Sequence, residues 1–147
     1  MIAPATKHIL IVEDDRDIAE SMANALGEMG YSVTAVLTSG EEAIDRTKIS
    51  PQPDLVIMDI FLAGALDGIQ AGKYIEDQLN LPVIYITGYR DKAAMLEEEG
   101  KVPLVKPFTN KDLKTAVGVV FYRLSSPDNH RKISNPQKQY PDLNLNA

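Results

Sequence analysis

Acidic, hydroxyl and basic side chains in this sequence follow directly after short apolar runs. They are Glu13, Asp14 and Asp15 after HILIV, Asp59 after LVIM, Thr87 after PVIYI, and Lys106 after VPLV. If these runs are parallel strands of one sheet, their carboxyl ends meet at one edge, where such sheets bind ligands. Carboxylates crowded at one edge repel one another, and a hard cation relieves that repulsion. The spacing therefore predicts an acidic cation site with a hydroxyl and an ammonium beside it.

This set of groups suits one kind of chemistry in particular. Asp14 and Asp59, with a backbone carbonyl and waters, match the preference of Mg²⁺ for a few protein oxygens. Such a cation screens an incoming phosphoryl oxygen and leaves a carboxylate oxygen of Asp59 free to attack phosphorus. Lys106 supplies a positive charge for the product, and Thr87 supplies a hydroxyl that bonds a phosphoryl oxygen. The sequence thus predicts an aspartyl phosphate at Asp59.

Each of these groups also has an ordinary structural explanation. Acids after a strand often cap the next helix, which we expect of Asp15, and Glu13 and Asp14 taken alone fit capping or solvation as well. A lone Asp or a Lys-Pro at a strand end is usually a turn residue. The joint placement of these groups at four strand ends favours one shared site over separate turns.

The elements that must position these groups alternate along residues 1–124. Short apolar runs are each followed by apolar residues at helical spacing, which predicts five strand–helix units. Strands apolar on both faces and separated by helices indicate a parallel sheet covered on both sides. We predict an α/β, doubly wound (βα)5 flavodoxin-like three-layer sandwich with strand order 2-1-3-4-5. The predicted strands are 8–12, 31–36, 55–58, 82–86 and 102–105.

Helix boundaries and one weak helix are also visible in the sequence. Ser39 is expected to cap the second helix, and Thr109 or Asn110 the fifth. Gly72 falls inside the third helix and weakens it.

Composition and charge bound the class of protein. The chain has 147 residues, 44% hydrophobic and 24% charged, which suits one globular domain over residues 1–124. Residues 125–147 are polar and aperiodic, and we expect a flexible tail there. A net charge of −6 without a basic cluster argues against direct nucleic-acid binding. No apolar run approaches the ~20 residues of a membrane span, and no secretory signal or cysteine is present, so we expect a cytoplasmic protein without membrane contact.

Five motifs together resemble a known family. ILIVEDD, DLVIMDI, LDGI, VIYITGY and LVKPF occur in this order, and their order and spacing resemble the receiver domains of two-component response regulators over about residues 7–124. The resemblance implies that Asp59 is the phosphoacceptor of a histidine-to-aspartate phosphorelay. It also implies that the chain is no enzyme beyond taking up a phosphoryl group and slowly losing it.

The resemblance assigns a role to the neighbours of Asp59. Asp14 and Asp59 bind Mg²⁺, or Mn²⁺ in its place, together with the backbone carbonyl of Phe61, and Glu13 holds the site through water. Thr87 and Lys106 contact the phosphoryl group.

Further residues are assigned by the same resemblance. Gly88 leaves room for the phosphoryl group, and the bond from Lys106 to Pro107 is cis. The implied partners are a histidine kinase or a histidine phosphotransfer protein and a downstream protein target. The face made by helix 4, strand 5 and helix 5 is a candidate homodimer surface. Because no output domain follows residue 124, output is expected to pass through protein contacts or onward phosphotransfer.

The sequence departs from the family pattern at several positions. Ala63 replaces a common proline after the phosphoacceptor, and Pro103 stands where the family often has an aromatic residue that reorients on phosphorylation. Tyr89 or helix 4 is then expected to be the moving part. PVIYITGY is similar to the PFxFATGY-type receivers often paired with HWE kinases. Phe61 and Tyr89 occupy positions that tune hydrolysis, and their bulk predicts slow autodephosphorylation.

Three other functions fit the same fold class. A haloacid dehalogenase-type phosphatase needs a second Asp two residues after the first, where this chain has Phe61. A flavodoxin-like flavin carrier needs a first loop that accepts phosphate, which EDDRD would repel. A receiver-fold binding module that is never phosphorylated remains open as the alternative.

Overall fold

Five strands alternate with five helices in residues 5–62 and 64–126, the part of the chain that the computed structural model describes. The strands are β1 (His8–Val12), β2 (Ser32–Leu37), β3 (Leu55–Asp59), β4 (Val83–Thr87) and β5 (Val102–Val105). The helices are α1 (Arg16–Glu28), α2 (Gly40–Thr47), α3 (Gly68–Leu79), α4 (Arg90–Glu98) and α5 (Asn110–Ser125). The expectations for Ala63 and for most of the tail, 127–147, lie outside the described residues.

The strands form a parallel sheet in the order β2-β1-β3-β4-β5. The predicted α/β class, doubly wound topology and strand order are therefore confirmed. Two predicted strands, β2 and β4, begin and end one residue later than expected. Asp59, expected just after β3, is the last residue of that strand.

Two apolar layers lie on opposite faces of the sheet, because successive strand residues point to opposite sides. On one face, Ile9, Ile57 and Ile84 pack against α1 and α5. On the other, Leu10 and Met58 pack with residues of α2 and α3. Each such fully buried side chain contributes about 1.5–3 kcal/mol of hydrophobic stabilisation. The central strands β3 and β4 are buried at every position, so residues at their carboxyl ends are held in fixed positions.

The helix starts are set by side-chain caps close to the strand ends. Asp15 accepts a hydrogen bond from the backbone N–H of Ile18 at 3.1 Å, as predicted. Ser39 caps α2, and Thr109 caps α5, with Asn110 the first helical residue. In the described part of the chain, none of the helices is long and apolar enough to cross a membrane.

A candidate acidic site at the carboxyl edge of the sheet

Three acids from two neighbouring strands meet at the carboxyl edge. Glu13 and Asp14 follow β1, and Asp59 ends β3, beside it in the sheet. Carboxylate oxygens of the three lie within 4.8 Å of one another. Glu13 is fully buried, Asp59 is 3% exposed, and Asp14 is exposed. The structure therefore brings together the acids that the strand-end spacing predicted.

Both carboxylate oxygens of Asp59 are held by neighbours. The backbone N–H of Phe61 donates to Oδ1 at 2.8 Å, and the ammonium of Lys106 donates to Oδ2 at 2.7 Å. The start of α3 also packs directly onto this residue, since a Cβ at Gly68 would lie 1.9 Å from the Asp59 carbonyl oxygen. Only glycine fits there, which explains the Gly of the LDGI segment.

Lys106 joins β5 to the acids of β1 and β3. Its backbone N–H donates to the carbonyl of Thr87 at 2.8 Å, and its bond to Pro107 is cis, as expected. Its Nζ lies 2.6 Å from Oε1 of Glu13 as well as 2.7 Å from Asp59. Sequence reasoning missed this direct contact with Glu13. Partial burial alone would lower the pKa of Lys106, but its bonds to Asp59 and Glu13 outweigh burial and raise it, so the ammonium stays charged.

The charges of this cluster do not balance by themselves. Glu13, Asp14 and Asp59 carry three negative charges when ionised, against the single positive charge of Lys106. Burial, reinforced by Asp59 and opposed by Lys106, raises the pKa of Glu13 to about 7. A buried carboxylate that holds a proton near neutral pH is a site where a cation can replace that proton. The oxygen donors and the excess of two negative charges fit a hard divalent cation such as Mg²⁺.

Thr87 and Gly88 lie where β4 leads into α4. The buried Thr87 hydroxyl accepts a hydrogen bond from the backbone N–H of Tyr89 at 3.0 Å, which orders the loop. Beside it the space is open, since a Cβ at Gly88 would have no atom within 4 Å. The two residues are thus placed beside the β3 and β5 ends that carry Asp59 and Lys106.

An exposed aromatic pair joins the two loops that leave β3 and β4. The ring centroids of Phe61 and Tyr89 are 5.6 Å apart and tilted by 47°. The side chains are 61% and 54% exposed. Their bulk is evident in the sequence, but their contact is not, because spacing within a loop does not give side-chain direction.

Pro103 lies in the middle of β5, at the edge of the sheet. It pairs in register with Tyr85 of β4. A surface groove of about 640 Å³ runs beside it, between β5 and the flanks of α4 and α5. The groove lies on the face named above as a candidate dimer surface.

Comparison with known proteins decides the family. The family model of the response regulator receiver domain matches residues 9–118. This chain belongs to the response regulator receiver domain family. The transcriptional regulatory protein PdtaR of Mycobacterium tuberculosis is 32% identical over 124 residues, which are 82% of this chain and 60% of PdtaR. The chain thus spans about 60% of the length of that curated relative.

Solved structures give the same result for the fold of the receiver domain. The signal receiver domain of a modulated diguanylate cyclase from Desulfovibrio desulfuricans superimposes with a TM-score of 0.72 at 30% identity, covering 81% of this chain and 96% of that one. A response regulator receiver protein from Sinorhizobium medicae gives a TM-score of 0.70 at 27% identity, covering 80% and 95%. The resemblance seen in the sequence motifs is therefore confirmed at the level of family and fold.

Proposed function

We propose that this receiver domain accepts a phosphoryl group on Asp59 and signals by phosphorylation-dependent protein contact or by onward phosphotransfer. The observation that carries the proposal is the setting of Asp59. Its carboxylate is buried at the sheet edge, bonded to a backbone N–H and to Lys106, and lies within 4.8 Å of two further acids. A lone turn aspartate needs none of these partners.

The residues divide the chemistry among them. A carboxylate oxygen of Asp59 attacks phosphorus, the bond from phosphorus to the donor nitrogen breaks, and the donor imidazole keeps the electron pair. Phe61 N–H fixes the angle of the attacking carboxylate, and Lys106 balances the charge of the product. Thr87 can turn its hydroxyl from the Tyr89 N–H to a phosphoryl oxygen, which would release the β4–α4 loop.

Mg²⁺, or Mn²⁺ in its place, is the cation that these donors fit. Asp14, Asp59 and the Phe61 carbonyl would hold it, with Glu13 acting through water. When bound, it screens the phosphoryl charge from the acids. Because burial raises the pKa of Glu13, a nearby cation would help to keep its carboxylate ionised.

The partners we propose follow from this chemistry. A histidine kinase or a histidine phosphotransfer protein supplies the phosphoryl group, and a downstream protein reads the phosphorylated state. The groove beside Pro103 lies on the α4–β5–α5 face, which supports that face as the contact surface for a target or for a second copy of this chain. We propose residues 1–124 as the receiver domain and a cytoplasmic location.

The direct test of the function is phosphorylation by a small donor. Acetyl phosphate with Mg²⁺ is expected to add one phosphoryl group, about 80 Da by intact mass, to the wild-type protein. The Asp59→Asn protein is the control and should gain nothing. No adduct from acetyl phosphate or from any histidine donor would favour the alternative, a receiver-fold binding module that phosphorylation does not regulate.

The aromatic pair supports a long-lived phosphoryl group. Phe61 and Tyr89 are bulky side chains on the two loops that leave β3 and β4, and neither is well suited to position a water for attack on the phosphoryl group. We expect Tyr89→Ala to shorten the phosphoryl half-life by about 3- to 10-fold, which is about 0.7–1.4 kcal/mol of barrier. Loss of the adduct over time, followed by mass, measures this. A wild-type half-life of seconds would contradict the expectation of slow hydrolysis.

A further inference from the structure

Tyr85 is a fully buried tyrosine on the strand that carries Thr87. It lies two residues before Thr87 on β4, so both side chains point to the same face of the sheet. Its ring lies in a notch on α3 at Gly72, where a Cβ would come within 2.4 Å of a ring carbon. Because the ring belongs to β4 and packs closely against the backbone of α3 at Gly72, a movement of β4 shifts the ring against α3.

The hydroxyl of Tyr85 begins a polar path that leaves the core. It donates to Oε1 of Glu76 on α3, and Oε2 of Glu76 accepts from Lys101 at 2.9 Å. The side chains of Glu76 and Lys101 are each only 17% exposed. Burial, with the charge of Glu76 next, raises the pKa of Tyr85 far above its ordinary value, so the hydroxyl keeps its proton and remains a donor.

Lys101 lies in the turn between α4 and β5. The helix α4 itself has few buried contacts with the rest of the domain. Of its nine residues only Ala93 and Leu96 are buried, and its first turn lacks a side-chain cap. Few buried contacts mark segments that open at low free energy. Two ion pairs tie the α4–β5 turn to α3, Lys101 to Glu76 and Lys73 to Glu99 at 3.2 Å. The Lys101–Glu76 pair continues to β4 through the hydrogen bond from the Tyr85 hydroxyl to Glu76.

We propose that Tyr85 is a positioning residue that couples Thr87 to the α4–β5 turn through Glu76 and Lys101. The inference rests on the proposed function, because it supplies a route by which phosphorylation at Asp59 reaches α4. Pro103 is the residue of β5 that pairs in register with Tyr85, so β5 has no aromatic side chain at that position. When Thr87 moves toward a phosphoryl oxygen, the end of β4 moves with it, the Tyr85 hydroxyl shifts against Glu76, and the Lys101 tie loosens.

The first arm of the test measures amide hydrogen exchange in residues 96–102, with and without acetyl phosphate and Mg²⁺. In the wild-type protein we expect phosphorylation to change exchange there by about 5-fold or more, the lower range of two-site coupling. Tyr85→Phe keeps the ring and removes only the hydroxyl that bonds Glu76. This variant should gain the same phosphoryl adduct but lose most of the change in exchange. Lys73→Gln, which removes the other ion pair between this turn and α3, is the matched control and should retain the change.

Two outcomes of this arm overturn the proposal. One is a full exchange response in Tyr85→Phe protein phosphorylated to the wild-type extent. The other is an equal loss in Tyr85→Phe and Lys73→Gln, which would mean a general weakening of the contact with α3. If Tyr85→Phe does not fold, Lys101→Met cuts the same path at its far end and should give the same loss of response.

The second arm needs no phosphoryl donor. Thr87→Val removes the hydroxyl that holds the Tyr89 N–H, and it should alter exchange in residues 96–102 in the wild-type background but not in Tyr85→Phe. An equal effect of Thr87→Val in both backgrounds overturns the proposal. A wild-type protein that never gains an adduct contradicts the proposed function alone, and this arm then decides the coupling by itself.

Discussion

At the scale of single residues, Lys106 supplies the positive charge beside Asp59 and the neighbouring buried acid. Its ammonium contacts both buried carboxylates, at 2.6 Å from Glu13 and 2.7 Å from Asp59. Asp14, the exposed member of the cluster, forms no ion pair with Lys106 within the described residues. Glu13 and Asp59 are already paired with Lys106, so we expect the affinity of the site for a cation to depend strongly on Asp14.

This arrangement predicts how Asp14 affects metal binding. Mg²⁺ at ten times its dissociation constant should stabilise the wild-type protein by about 1.4 kcal/mol, because it binds the folded state alone. Asp14→Asn removes one ligand charge and should abolish most of this gain in urea unfolding. Asp17→Asn, at an exposed acid of α1 outside the cluster, should keep it. Equal Mg²⁺ stabilisation in both variants would contradict the assigned site.

Residue identities at the site were predictable, but several contacts were not. Asp59, Thr87 and Lys106 stand at strand ends, and the parallel-sheet rule brings strand ends together whatever the side chains do. The pairing of Glu13 with Lys106 depends on side-chain direction, which spacing does not give. The tilted contact between the rings of Phe61 and Tyr89 depends on two loop paths for the same reason.

At the scale of elements, the contact between α3 and β4 is set by a glycine. Gly72 weakens α3 by propensity, and the structure explains why the helix carries it: the Tyr85 ring fills the space of a side chain. The sequence showed the weak position but not its cause, since the partner lies on another element. Helix caps such as Asp15 and Ser39 were predictable because they act within one turn.

A pair of glycine substitutions separates propensity from packing. Gly72→Ala should destabilise the protein by about 1–3 kcal/mol, because the added methyl group meets the Tyr85 ring. Gly118→Ala is the matched control on α5, where a Cβ would have no neighbour within 4 Å, and it should stabilise by about 0.5–1 kcal/mol. Urea unfolding of both variants measures this. A stabilising Gly72→Ala would show that the notch is not tight.

At the scale of the whole molecule, the apolar strand runs and helical spacings were enough to predict the topology. β1, β3 and β4 are almost entirely buried, so they read as continuous apolar runs, as central parallel strands do. The partly buried polar path from Tyr85 to Lys101 was not predictable. Its members are 9 and 25 residues apart in sequence, and each looks ordinary alone.

Because Tyr85 begins that path as a buried, neutral hydroxyl, the free energy of unfolding should depend on pH in the alkaline range. The pKa of Tyr85 is raised in the folded state, so its contribution is present below the unfolded pKa of about 10 and is lost as pH rises. From pH 10 to 11, the free energy of unfolding of the wild-type protein should fall by about 1 kcal/mol more than that of Tyr85→Phe. Tyr122→Phe, at a side chain 76% exposed, should follow the wild-type curve. Parallel curves for wild type and Tyr85→Phe would contradict a neutral, buried Tyr85.

Chemical trapping of the acyl phosphate shows whether Asp59 itself carries the phosphoryl group. Borohydride reduces an aspartyl phosphate to homoserine, with release of phosphate, and peptide mass mapping then locates the altered residue. After treatment with acetyl phosphate and Mg²⁺, we expect homoserine at position 59 alone. Homoserine at position 14, a reduced Glu13, or no reduced residue in protein that carries the adduct would contradict it.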